Sequence, residues 1–166
     1  MPREATRWWV KAIAFGLLPV IAVFLGAAAG YLKWRDTSTR DSQRAAITSV
    51  QAATEGTIAM LSYRADSVET DLEAASARLT GSFHDAYTSL IRDVVIPGAK
   101  QQRISAVASV PAAASVSASG SHAVVVVFVN QTTTVGDSAP TNTTSSVQVT
   151  LDRVGDRWLI SEFTPV

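Results

Sequence analysis

The chain has 166 residues, with 14 Lys+Arg balanced by 14 Asp+Glu and no cysteine. A neutral balance lacks the cation surplus that a nucleic-acid surface requires, and the missing cysteines exclude thiolate metal sites, thiol nucleophiles and disulfides. Two histidines far apart, His84 and His122, leave little for metal or triad chemistry, so neither a metal nor a cofactor is expected.

From Ala12 to Leu32, 21 consecutive residues carry no charge. As a helix they would extend about 31 Å, the thickness of a bilayer's hydrocarbon core. Trp8 and Trp9 before the run, and Tyr31 and Trp34 around its end, suit the interfacial aromatic belt. Pro19 is tolerable in such a helix, where neighbours satisfy the freed carbonyl. A cleaved signal peptide is the rival, with Arg3, Arg7 and Lys11 as its basic start and Ala27-Ala28-Ala29 as a cleavage site. The apolar run continues past that site to Leu32 and stops on Lys33, which favours a retained single-pass anchor in the inner (plasma) membrane. Lys/Arg counts on the two flanks nearly tie, so the shortness of the 11-residue tail sets the expectation: residues 1–11 cytoplasmic, residues 33–166 exported as one domain. Gly26 and Gly30, with Ala22 one step earlier, form a small-xxx-small pattern that permits close helix pairing and hence self-association in the membrane.

The exported part divides at Arg103 into a helical portion, 33–103, and a sheet portion, 104–166. Residues 36–62 predict a long helix with a stripe of Ile47, Val50, Thr54, Thr57/Ile58 and Leu61 at three- and four-residue steps, weakened by Gly56. A second helix is expected from Asp66 to Leu79, where Asp66 and Glu69 have capping-box spacing. It buries Val68, Leu72, Ala75 and Leu79 and stops at Gly81. Ser82 and Asp85 predict the start of a third helix, 83–96, buried through Phe83, Tyr87, Leu90, Ile91 and Val94 and ended by Pro97-Gly98.

Between Ile104 and Leu151 the only formal charge is Asp137, while Val, Ala, Ser and Thr dominate, a composition of strands. Ile104 to Val110 alternates, with Pro111 marking an edge or a bend. Ala123 to Val129 is apolar throughout, as for a strand covered on both faces, with Gln131 to Thr134 its polar extension. Val147, Val149 and Leu151 alternate with polar neighbours, a half-exposed antiparallel strand. Val154-Gly155-Asp156-Arg157 reads as a hairpin before a last strand, Trp158 to Phe163, and 135–144 as a long loop. Helices followed by four antiparallel strands is an α+β order, most economically a bent sheet around the helices, the cone of NTF2-like and cystatin-like domains.

Five strings carry a family resemblance: Leu61-Ser62-Tyr63-Arg64, Asp71-Leu72-Glu73-Ala74-Ala75, Leu79-Thr80-Gly81-Ser82-Phe83, Phe128-Val129-Asn130-Gln131-Thr132, and Gly155-Asp156-Arg157-Trp158-Leu159-Ile160-Ser161-Glu162-Phe163. In this order they resemble the Mce-associated membrane proteins of actinobacteria. The resemblance implies an exported domain like that of the VirB8 secretion scaffold, partnership with Mce lipid-transport subunits in the cell envelope, and no catalytic residue.

Asp66, Glu69, Asp71, Glu73 and Asp85, with His84, are the residues that could carry acid/base chemistry, as in the pocket enzymes of cone-shaped folds. Their place near helix starts favours capping and dipole roles instead. Asn130, Gln131 and Thr132 are expected to fix their strand against the helices or to contact a partner. Asn130 and Asn142 also open glycosylation sequons, a pattern frequent by chance. Trp158 is expected as a core plug beside Phe163. The expected function is a non-catalytic anchored scaffold. The alternatives are a cone that binds a lipid or other hydrophobic ligand and a VirB8-like secretion scaffold. A large apolar cavity under the sheet would favour the ligand-binding cone, and a cavity filled by Trp158, Phe83 and Tyr87, with an exposed apolar face elsewhere, the non-catalytic scaffold.

Overall fold

The computed structural model describes residues 41–166. The tail, the membrane run 12–32 and the Ala22/Gly26/Gly30 pattern lie outside the described residues. Among the described residues no helix is long and apolar enough to cross a membrane.

Helix α1 runs through 41–61. Its buried stripe is not the bulky one expected. Ala45, Ser49, Ala53, Gly56, Thr57 and Met60 face inward, while Ile47 is 71% exposed. The periodicity is helical, as predicted, but the buried face is made of small residues. Small side chains let the helix axis lie close to the sheet: a Cβ on Gly56 would fall 2.6 Å from Ile160 Cδ1. Large aliphatics on that face would hold the two layers apart.

Helix α2, Val68–Ser76, is shorter than predicted and buries Val68, Leu72 and Ala75 as expected. The capping box does not form. Ser67 precedes the helix without a side-chain cap, and its hydroxyl donates to Asp71 Oδ2 at 2.7 Å. Leu79 leaves the helix to make a parallel bridge with Ile160: Thr80 N–H donates to Ile160 O and Ile160 N–H to Arg78 O, each at 2.9 Å. Tertiary pairing thus takes over the backbone of 78–80 that a longer helix would have used.

Helix α3, Gly81–Leu90, starts two residues earlier than expected, at Gly81 with φ +62, and carries no Ser82 or Asp85 cap. Pro97-Gly98 does not end the helical path. A π-helical turn, Ile91–Val95, leads into α4, Ile96–Gln102. Pro97 lies in the first turn of α4, directly after the π-helical turn, which is where a helix takes up the irregularity of a missing N–H. Arg103 in the left-handed region closes α4. Leu90 and Val94, expected inside, are 52% and 60% exposed.

The rest is one antiparallel meander in the order β1-β2-β3-β4: β1 Ile104–Ala118, β2 His122–Val135, β3 Thr141–Val154 and β4 Arg157–Pro165. Strand β1 passes through Pro111 as an edge strand with a bulge between Ser109 and Ala112, a position where a missing N–H breaks no ladder bond. The 135–144 loop shrinks because β2 and β3 pair as far as Thr133 with Thr141. Ala123, Val125, Val127 and Val129 of β2, with Val147, Val149 and Leu151 of β3, form the sheet side of the core. The helices supply Ala53, Met60, Leu72, Tyr87, Ile91 and Ala99 against it. The other face of β2 is not covered, contrary to the all-apolar pattern, since Phe128 is 47% exposed.

Candidate functional site

The acidic residues do not converge. Asp71 Oδ2 accepts from Ser67 Oγ and, at 3.2 Å, from Arg64 N–H, and the Ser67 bond foremost holds the carboxyl below its ordinary range. It pins the turn before α2. Glu69 accepts from Lys100 Nζ at 2.6 Å, which lowers its pKa and ties α2 to α4. Asp85 meets His84 Nδ1 at 3.0 Å on the surface. Asp66 and Glu73 are exposed. Glu69 and Glu73 rim a shallow cleft of about 190 Å³ with Arg92, Ile91 and Pro97, open to solvent and without a buried carboxyl. Among the described residues no three His, Asp or Glu gather where a metal could sit.

The second histidine has a partner that sequence reading missed. His122 Nδ1 lies 2.7 Å from Asp152 Oδ1 across the β2–β3 pair, and this bond, with one from Ser161, lowers the Asp152 pKa. Strand register alone brings these two together, and no local motif announces it.

Asn130, Gln131 and Thr132 split between two environments because consecutive strand residues face opposite ways. Gln131 points to the helices, and its Nε2 donates to Leu61 O at 2.9 Å, capping the end of α1. Asn130 and Thr132 lie on the exposed face, where Thr144 Oγ1 donates to Asn130 Oδ1 and Thr132 Oγ1 to Asn142 Oδ1. These are cross-strand rungs between β2 and β3.

An aromatic cluster joins α3 to β4, with Tyr87 buried and Phe83 and Phe163 half-buried. Phe83 stacks on Phe163 with ring centroids 6.4 Å apart and an interplanar angle of 12°, and Tyr87 lies 6.4 Å from Phe83. Tyr87 O–H donates to Met60 O at 3.3 Å, and burial raises its phenol well above the usual range. Trp158 is not the expected plug. It is half-buried at the rim, and its Nε1–H donates to Thr48 Oγ1 of α1 at 2.9 Å. A second cleft, about 490 Å³, opens beside that contact between the first described turns of α1 and the β1–β2 turn, with Arg44 and Arg153 in its lining.

A family profile described as "Uncharacterized protein Rv1363c/MT1408-like" matches residues 10–161. The chain is 60% identical over 158 residues to outer membrane protein Rv1973 of Mycobacterium tuberculosis, a match covering 95% of this chain and 99% of the relative. It is 40% identical over 166 residues to uncharacterized protein Rv1362c of the same species, covering 95% and 75%. Among solved structures, an IcmL-like type IV secretion system protein from Legionella pneumophila is similar with a TM-score of 0.59 at 10% identity, covering 70% of this chain and 90% of that one. CagV of Helicobacter pylori, a VirB8 homolog of a type IV secretion system, gives 0.54 at 12% identity, covering 70% and 96%. At such identities the likeness is one of fold: helices on a four-stranded antiparallel sheet, as in VirB8-like domains.

Proposed function

The chain belongs to the Rv1363c/MT1408-like family, and from that premise we propose that it is a membrane-anchored, non-catalytic accessory protein of the cell envelope. In this reading residues 1–11 are cytoplasmic, 12–32 span the inner membrane, and the domain beyond helps to assemble or stabilise an Mce-type lipid-transport complex. The observation that carries the reading is the apolar core that the helices and the sheet share. Leu72, Tyr87 and Ile91 of the helices are buried with Val125, Val127, Val149 and Ile160 of the sheet, and Phe83 and Phe163 stack half-buried beside them, while Asp71, Glu69 and Asp85 are each engaged by another side chain. A domain of this kind works through its surfaces. The fold shared with VirB8-like secretion proteins and the name of the 60% identical relative both support a place in the envelope.

The test is lipid uptake in cells carrying variants, alongside pull-down of transporter subunits. Asp66→Asn, Glu69→Gln, Asp71→Asn and Asp85→Asn should each preserve uptake, because an amide still accepts hydrogen bonds but cannot exchange a proton. Deleting residues 1–34 should abolish uptake while the domain stays folded. Normal uptake from the anchorless form at matched envelope level overturns the scaffold. Loss of uptake from one amide change, with folding and partner capture intact, revives a pocket enzyme. The relative's name favours a second location, and fractionation decides it: recovery of the chain with outer-envelope rather than plasma-membrane material overturns the inner-membrane anchor.

A further inference from the structure

The cleft beside Trp158 has two arginines, Arg44 and Arg153, in its lining. Asp41, Arg44, Ala45 and Thr48 of α1 line one wall, and Gly120 of the β1–β2 turn and Arg153 at the end of β3 line the other. The neutral polar groups are already engaged. Thr48 Oγ1 lies 2.9 Å from Arg44 O, to which it donates, and accepts from Trp158 Nε1. Among the described residues neither guanidinium donates a hydrogen bond. Among the described residues Arg44 makes no ion pair, and the charge closest to Arg153 is the fully exposed Asp156 at 3.9 Å, beyond hydrogen-bond reach. The base of Arg153 is nonetheless fixed, because its N–H donates to Ser121 O at 2.8 Å.

Two planar donor forks, from α1 and from the end of β3, border a space of about 490 Å³, with the carboxylate of Asp41 in the same lining and that of Asp156 beside Arg153. Each fork matches the paired oxygens of a phosphate. We propose that this cleft is a binding site for a phosphate-type oxyanion, clamped between Arg44 and Arg153. The anion is either the headgroup of an acidic phospholipid or free phosphate. The lipid source rests on the anchored reading above. The site itself stands without that reading, and its failure would leave partner capture and uptake unaffected.

The test uses the full chain in detergent with Trp8, Trp9 and Trp34 changed to Phe, so that Trp158 is the sole indole and reports on the cleft wall. Dihexanoyl phosphatidylglycerol, inorganic phosphate and neutral dihexanoylglycerol are titrated in parallel by calorimetry and by Trp158 emission. Phosphatidylglycerol should bind at one saturable site, and Arg44→Gln and Arg153→Gln should each weaken it at least tenfold with the melting temperature unchanged. Asp41→Asn should tighten it, which gives a gain-of-binding readout that misfolding cannot mimic. Binding of phosphatidylglycerol tenfold tighter than phosphate assigns the site to a lipid headgroup, and equal binding assigns it to free phosphate. No saturable binding of either, equal binding of dihexanoylglycerol, indifference to both arginine changes, or weakening by Asp41→Asn overturns the proposal.

Discussion

Gly56 of α1 and Ile160 of β4 meet so closely that a single methyl group on the glycine would sit 2.6 Å from Ile160 Cδ1. Ile160 is buried, and its backbone is held on one side by Arg78 and Thr80 and on the other by β3. It therefore has little freedom to retreat. Gly56→Ala should destabilise the domain by about 1–2 kcal/mol, the overpacking penalty less the helix-propensity gain of alanine. In an Ile160→Val background the same change should become neutral or stabilising. Urea unfolding of the four proteins of this cycle checks it; an equal loss in both backgrounds would show that the contact is not the cause.

Trp158 is held at the rim by packing and by one hydrogen bond to Thr48. Trp158→Ala should cost about 2 kcal/mol, below the range for fully buried aromatics. Trp158→Phe and Thr48→Val should show a coupling of about 0.5–1.5 kcal/mol in a double-mutant cycle, the scale of one neutral hydrogen bond. Additivity of the two changes would mean the bond contributes nothing.

Three neighbouring residues should behave differently. Gln131→Ala removes the donor to Leu61 O and should lower stability by about 1 kcal/mol, as for a lost hydrogen bond at a helix end. Asn130→Ala and Thr132→Ala remove only exposed cross-strand rungs and should stay within about 0.5 kcal/mol of the parent. If either exposed change abolishes partner pull-down while stability holds, that face is a contact surface.

Acid should loosen the domain. Glu55, Glu69, Asp71 and Asp152 are each held below the ordinary carboxylate range, chiefly by hydrogen bonds from Gln51, Lys100, Ser67 and His122 respectively. The unfolded chain, with carboxyls of ordinary pKa, binds protons first as pH falls. Their contribution is complete above about pH 5 and is lost progressively below about pH 4. Glu55 and Glu69 are exposed and Asp71 and Asp152 half-buried, so the loss per group is small. The melting temperature should be flat from pH 7 to 5 and decline below 4, and Asp71→Asn should lower it more at pH 7 than at pH 3. An Asp71→Asn deficit that grows with acid would reverse the assigned sign.

Where the pattern was local, the sequence by itself determined the structure. The switch to Val, Ser and Thr after Arg103 marks the start of the sheet. Strict alternation of Val147, Val149 and Leu151 sets which side of β3 is buried, because side chains in a strand alternate with period two whatever lies beyond it. Gly155-Asp156 identifies the hairpin, with Gly155 at φ +63. The tertiary structure decided whatever depends on partners distant in the chain. Hydrophobicity favours Ile47 over Ala45, yet α1 buries its small residues, because the sheet requires close approach and Gly56 permits it. Pro97-Gly98 reads as a stop, yet a π-helical turn carries the helix through it. Trp158 reads as a plug, yet it lies at the rim, where its indole N–H can reach Thr48. Arg44 and Arg153 have no signal in common until α1 and the end of β3 border one cleft. In each case the deciding contact joins residues remote in sequence, and a local window carries no trace of its partner.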